Sequence, residues 1–119
     1  MAIENEHNTR LFEVQADICK TLSQPKRLML VHILRAGEKS VGQLSSTLNI
    51  SQPNVSQHLS ILRKRGVVTT RREGTTVYYR LSSPRIGEAC DLVHNFLTEQ
   101  LENSKELASS LHSYYKESE

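Results

Sequence analysis

The sequence predicts a mainly α fold carrying one β-hairpin, in the α+β class, and three observations predict it. Apolar residues recur at helical spacing over most of the chain. One run, 67–81, is instead rich in β-branched and aromatic residues on either side of Arg72-Glu73-Gly74, the pattern of two strands joined by a turn. All three prolines follow a serine by one or two residues, in Ser23-Gln24-Pro25, Ser51-Gln52-Pro53 and Ser83-Pro84. A serine N-cap with proline in the first turn is the chemistry of a helix start, because the hydroxyl satisfies an orphan N–H and proline lacks one.

The elements follow in order. Residues 9–22 place Leu11, Val14, Ile18 and Leu22 on one face of an amphipathic first helix. Residues 25–36 hold Leu28, Leu30, Val31, Ile33 and Leu34, a stripe wide enough for burial on most sides, and Gly37 is the C-cap candidate. Val41, Leu44 and Leu48 in 40–49, then Val55, Leu59 and Leu62 in 52–65, give two short helices broken at Asn49-Ile50-Ser51. This is a helix-turn-helix. The strands of 67–81 follow at once, and a helix over 84–115 closes the chain, with Ile86, Cys90, Val93, Leu97 and Leu101 on its stripe. At 119 residues, with no repeat or linker, the expectation is one domain over 1–119.

With Val55, Leu59 and Leu62 turned into a core, the outer side of the second helix of the pair carries Gln52, Asn54, Ser56, Gln57 and His58. Amides and hydroxyls of this kind match donors and acceptors on base edges in the major groove, and Gln57 is the first choice for a bidentate contact to adenine. Arg63 and Lys64 at the helix end, with Arg71, Arg72 and Thr75 in the hairpin, suit the phosphate backbone. A reading helix followed directly by a cationic hairpin is the winged helix-turn-helix arrangement. The expected partner is a double-stranded DNA operator.

Charge supports this. Residues 20–85 hold twelve Lys or Arg against two acids, while 1–19 are net −3 and 86–119 net −5. A cationic centre between acidic ends attracts a polyanion to one surface. There is no Trp and apolar content is only 37%. A last helix of this length exceeds what one small domain covers, so a homodimer through the first and last helices is expected, with Leu11, Ile18, Cys90, Val93 and Leu97 at its interface. Two reading helices related by a two-fold axis address an imperfect inverted repeat. No apolar run reaches membrane-spanning length and the N-terminus lacks a signal-peptide layout, so no membrane partner and a cytoplasmic location are expected.

The order helix, helix, helix-turn-helix, wing, helix resembles the ArsR family of bacterial and archaeal winged-helix repressors. The likeness is carried by Lys20-Thr-Leu-Ser-Gln-Pro-Lys-Arg-Leu28, Ser51-Gln-Pro-Asn-Val-Ser-Gln-His-Leu59 with Leu62-Arg63, Gly66-Val-Val68, and Arg71-Arg-Glu-Gly74 with Tyr78-Tyr79. The resemblance implies a homodimer that occludes a promoter until an inducer, often a metal or a sulfur species, releases it. The sensing motifs depart from the best-known members. Ser40-Val-Gly-Gln-Leu-Ser-Ser46 has no cysteine where the thiolate type carries its cluster, and Ser82-Ser-Pro-Arg-Ile86 lacks the ligands of the zinc type. The branch that senses persulfides or oxidants has cysteines where this chain has His32 and Thr98. The inducer is left unassigned.

Alternatives from other classes are a ligand-independent winged-helix regulator, a protein-interaction module and an enzyme. The chain has no phosphate-cradling Gly-rich loop, nucleophile elbow or apolar carboxylate pair, so no catalytic residue and no cofactor are expected. No two of its five histidines show a ligand spacing, and no metal site is expected; His32 is placed within a buried helix. Cys19 and Cys90 are the only cysteines and so the only candidates for a thiol-linked switch, against the plainer reading of two small packed side chains.

Overall fold

A computed structural model describes residues 6–103 and 109–114. They form α1 (Glu6–Thr21), α2 (Pro25–Leu34), β1 (Lys39–Ser40), α3 (Val41–Leu48), α4 (Gln52–Lys64), β2 (Val68–Glu73), β3 (Thr76–Leu81) and α5 (Pro84–Asn103). Residues 109–114 are also helical, while 104–108 and 115, part of the expected 84–115 helix, lie outside the described residues. The chain divides into two compact units after Gly87, where the sequence suggests one domain throughout. Within the second unit every described side chain from Leu92 to Asn103 is exposed, so this stretch of α5 has a helical stripe but no core.

The core of the first unit is built from Leu22, Leu30, Val31, Leu34, Leu44, Val55, Leu59, Leu62, Val67 and Val68. Leu30, Val31, Leu44, Val55, Leu59 and Leu62 are wholly inaccessible to solvent. They come from α2, α3 and α4, so the helix-turn-helix is packed on α2 before the sheet contributes anything. Two expectations for these helices need correction. Leu28 and Met29 are exposed on α2, leaving a buried stripe of Leu30, Val31 and Leu34 that is narrower than the run of apolar residues suggests. His32 is exposed as well, because it falls between the buried positions of the 3.6-residue period.

Local chemistry sets the boundaries. Ser51 caps α4, its hydroxyl accepting the Asn54 N–H at 3.4 Å, and Ser83 accepts the Arg85 N–H at 3.2 Å at the start of α5. Ser23 does not cap α2. Its hydroxyl donates to the Lys20 carbonyl at 2.6 Å, so it is spent on the end of α1, and Gln24 takes the N-cap position without a side-chain bond. Past α2, Gly37 has φ +135, a conformation that L side chains rarely adopt. Between α3 and α4 the chain turns through Asn49 in the left-handed region, φ 55 and ψ 47, which Asn tolerates better than most residues.

Ser40 corrects the expected helix boundary and adds a strand. It is the last residue of β1, opposite Tyr78 of β3, and also the N-cap of α3. Its hydroxyl accepts the Gln43 N–H at 3.2 Å and Gln43 Oε1 accepts the Ser40 N–H at 2.9 Å, a reciprocal capping box. The sheet is therefore three-stranded and antiparallel, in the order β1-β3-β2. The β2–β3 hairpin pairs Val68 with Leu81 through Glu73 with Thr76, around a two-residue turn at Gly74-Thr75. Gly74 has φ +62 and Thr75 is not among the positive-φ residues, the II′ arrangement whose twist suits a hairpin.

One polar link joins three helices. Arg27 of α2 donates from Nη1 to the Thr21 carbonyl at 3.0 Å and from Nε to His58 Nδ1 of α4 at 3.3 Å. Partial burial, then the nearby charges of Arg27 and Lys26, hold the His58 imidazole below its ordinary pKa. The proton of the neutral ring therefore sits on Nε2, because Nδ1 is the acceptor. No helix among the described residues is long and apolar enough to cross a membrane.

Two outcomes follow. Leu59→Ala removes a wholly buried side chain of α4 from the core, and is expected to cost about 2–5 kcal/mol in urea denaturation. His58 is favoured neutral in the folded state, so its folded pKa lies below the unfolded value of about 6.5. The stability it contributes is complete above that pH and is lost as pH falls through the folded value. NMR titration should show the His58 midpoint below that of a free imidazole, and Arg27→Ala should raise it; an unshifted midpoint in the wild type refutes the link.

Candidate nucleic-acid interface

The buried stripe of α4 fixes what the helix shows outward. At about 100° per residue, Gln57 lies roughly 170° from the middle of the Val55, Leu59 and Leu62 stripe, with Pro53, Asn54, Ser60, Ile61 and Lys64 within about 60° of it. Gln52, Asn54, Ser56, Gln57, Ser60, Arg63 and Lys64 are all exposed. The outer face of the helix is therefore two amides, one hydroxyl and one ammonium, with Pro53 and the half-buried Ile61 among them. Such a surface offers both donors and acceptors to base edges, with cations at one end for phosphates.

The expected base-reading residues do not all share this face. Gln52 lies toward α3, its Nε2 being 3.8 Å from where a Cβ on Gly42 would sit. His58 is half-buried and turned to Arg27, roughly 70° from the core stripe, so it stands at the rim of the face. Ser60 was not among the expected residues, although the helical period alone puts it beside Gln57. Beyond His58, a groove of about 410 Å³ runs between α1, the start of α2 and α4, with Lys20, Arg27, Arg65 and Asp17 on its walls. Arg65 Nη1 is paired there with Asp17 Oδ2 at 2.7 Å.

The wing residues also separate. Strand alternation places Arg71 and Arg72 on opposite faces of the hairpin, Arg71 opposite Tyr78 and Arg72 opposite Val77. Arg71 is engaged: Nε donates to Glu38 Oε2 at 3.1 Å, Nη2 to Glu38 Oε1, and Nη1 to Glu73 Oε2 at 3.0 Å. Its guanidinium carbon also lies 4.9 Å from the centre of the Tyr78 ring. Arg71 holds the Glu38 carboxyl below the usual carboxylate range, chiefly by hydrogen bonding, and the two carboxylates raise the Arg71 pKa. No bond in the sequence hinted at this, since Glu38 and Arg71 are 33 residues apart. Thr75 is exposed in the turn.

The remaining expected sites are simply located. Leu11 is 60% exposed and Val14 47% on α1, whereas Ile18 is half-buried and Leu22 buried. On α5, Val93 and Leu97 are exposed and Cys90 is half-buried; Cys19 is exposed on α1. Neither cysteine is in a disulfide. Among the described residues no cluster of His, Cys, Asp or Glu is arranged to hold a metal ion.

Known proteins share this arrangement. Residues 24–70 match the model of the bacterial regulatory protein arsR family. The chain is 41% identical over 88 residues to the biofilm growth-associated repressor of Agrobacterium fabrum, covering 74% of this chain and 75% of that one. It is 43% identical over 77 residues to the transcriptional activator HlyU of Vibrio cholerae, covering 65% and 71%. Among solved structures, it is similar to the homodimeric winged helix-turn-helix DNA-binding domain Mb0332 of Mycobacterium bovis, with a TM-score of 0.76 and 28% identity over 89% of this chain and 98% of that one. A helix-turn-helix with an amide-rich outer face, a β-wing beside it and these relatives lead to one assignment: the chain belongs to the ArsR family, whose members are winged helix-turn-helix regulators of transcription and not enzymes.

Proposed function

We propose that the chain acts as a homodimer that binds an imperfect inverted repeat in a promoter and represses transcription by occluding it, until an inducer lowers its affinity. The outward face of α4 carries this reading: Gln57 stands at its centre, exposed, with Ser56, Ser60 and Lys64 around it. Gln57 makes the bidentate contact to adenine; Asn54, Ser56 and Ser60 read neighbouring positions, while Gln52 and His58 work from the two rims. Arg63 and Lys64 neutralise phosphates, and Thr75 meets the backbone at the wing. Repression is the function named for the Agrobacterium fabrum relative, and activation that named for HlyU, so the sign of regulation depends on where the operator lies.

The dimer is supported by apolar surface that one chain leaves in water. Leu92 is 71% exposed, Val93 62% and Phe96 57%, and Leu97 and Leu101 continue the row on α5. Each such side chain contributes about 1.5–3 kcal/mol when fully buried, so a two-fold contact has ample driving force. Leu11, Phe12 and Val14 present a second exposed apolar face on α1, and Mb0332 is itself homodimeric. Both helices, with Ile18 and Cys90 at the edges, form the proposed interface. It would present two α4 helices to half-sites about 34–36 Å apart, one helical turn of DNA.

Two measurements test this. Sedimentation should give a dimer at micromolar concentration for the wild type and a monomer or unfolded chain for Leu97→Glu, since the buried carboxylate would have no partner. A monodisperse wild-type monomer would defeat the dimer. In competition binding, Gln57→Ala should lose about 1–3 kcal/mol of discrimination between operator and random duplex. An equal loss on both DNAs would remove Gln57 from the base-reading set.

A further inference from the structure

Between residues 20 and 85 there are twelve Lys and Arg and only two carboxylates, Glu38 and Glu73. Both carboxylates are on the same guanidinium, that of Arg71. We infer that Arg71 is a strut that fixes the wing to the loop before β1, and that its neighbour Arg72, on the other face of the hairpin, is the wing's phosphate contact. The inference rests on the DNA-binding reading and divides the labour of the wing within it.

The geometry supports the division from both sides. All three guanidinium nitrogens of Arg71 donate to carboxylate oxygens, two of them to Glu38 in a bidentate fork. A lone exposed ion pair contributes little, but here a fork, a second carboxylate and an aromatic face act on one cation. Register explains why they meet. Ser40 and Arg71 both lie opposite Tyr78, and Glu38 precedes Ser40 by two residues, which brings it to the same face of the sheet. A phosphate approaching Arg71 would have to displace a carboxylate.

Arg72 has the opposite circumstances. It is exposed, lies on the face shared with Thr70, Val77 and Tyr79, and its side chain makes no ion pair or hydrogen bond among the described residues. It stands one residue from the Glu73 to Thr76 closing pair of the turn. Binding a phosphate would cost it no existing partner. Fixing the hairpin through Arg71 reduces the freedom that Arg72 loses when it engages DNA. Glu38 is thus a positioning residue, acting on DNA affinity through Arg71 and the wing.

The test measures binding of the full chain to a mixed-sequence duplex of about 30 base pairs by fluorescence anisotropy between about 50 and 200 mM KCl, where each phosphate contact adds about 0.9 to the salt slope. Arg72→Ala should remove one contact per protomer, two per dimer, so that the loss of affinity over this range shrinks about 12-fold. Arg71→Gln should leave the slope as in the wild type. The charge-reversed double variant Glu38→Arg with Arg71→Glu rebuilds the fork in the opposite sense with the same net charge, and it too should keep the wild-type slope. The inference is overturned if Arg72→Ala leaves the slope unchanged, or if Arg71→Gln and the double variant lose as much slope as Arg72→Ala. A wild type whose binding does not respond to salt would overturn the DNA-binding reading itself.

Discussion

Val55, Leu59 and Leu62 hold α4 at a single rotation, and every functional statement about the helix depends on that. These three side chains are wholly buried, in the core that also holds Leu30, Val31, Leu34 and Leu44. Turning the helix by one residue, about 100°, would pull them into water and replace Gln57 at the outer line with a neighbour of different chemistry. Close packing makes such a compromise expensive, because a core of this density does not deform continuously. Chemical specificity at the surface is thus inherited from shape specificity beneath it.

The same dependence explains what could be read from sequence. Helical periodicity in 41–62 and the β-branched run in 67–81 come from local backbone preference and burial, so the helix-turn-helix and the wing were legible. The short strand Lys39–Ser40 was not, because two residues carry no period and the strand exists only through its pairing with Tyr78 and Tyr79. The Ser40-Val41-Gly42-Gln43 capping box was a readable signal and places the start of α3 one residue later than apolar spacing suggests. Ser23 shows the limit of motif reading: it sits at the same distance before a proline as Ser51, but the end of α1 claims its hydroxyl first.

Individual roles were less legible than elements. The outer residues of α4 follow from the period, yet His58 is set apart by Arg27, a partner 31 residues away in sequence. Arg71 and Arg72 are adjacent and chemically identical, and only the strand register and the position of Glu38 distinguish them. In each case a long-range polar contact selects one member from a set that sequence presents as equivalent. Such contacts depend on a few ångströms of tertiary geometry, which local pattern does not encode.

Ser40 is both the last residue of β1 and the cap of α3, with no linker between the two elements. Its neighbours on either side are therefore mechanically continuous: the β1–β3 pairing at the root of the wing and the first turn of α3 share one residue. Local opening transmits across such a junction, because fraying the strand removes the backbone geometry that the cap requires. In amide hydrogen exchange, the edge of the sheet and the front of the helix-turn-helix would then belong to one cooperative foldon. The wing and the helix pair would lose protection together, as a single opening event.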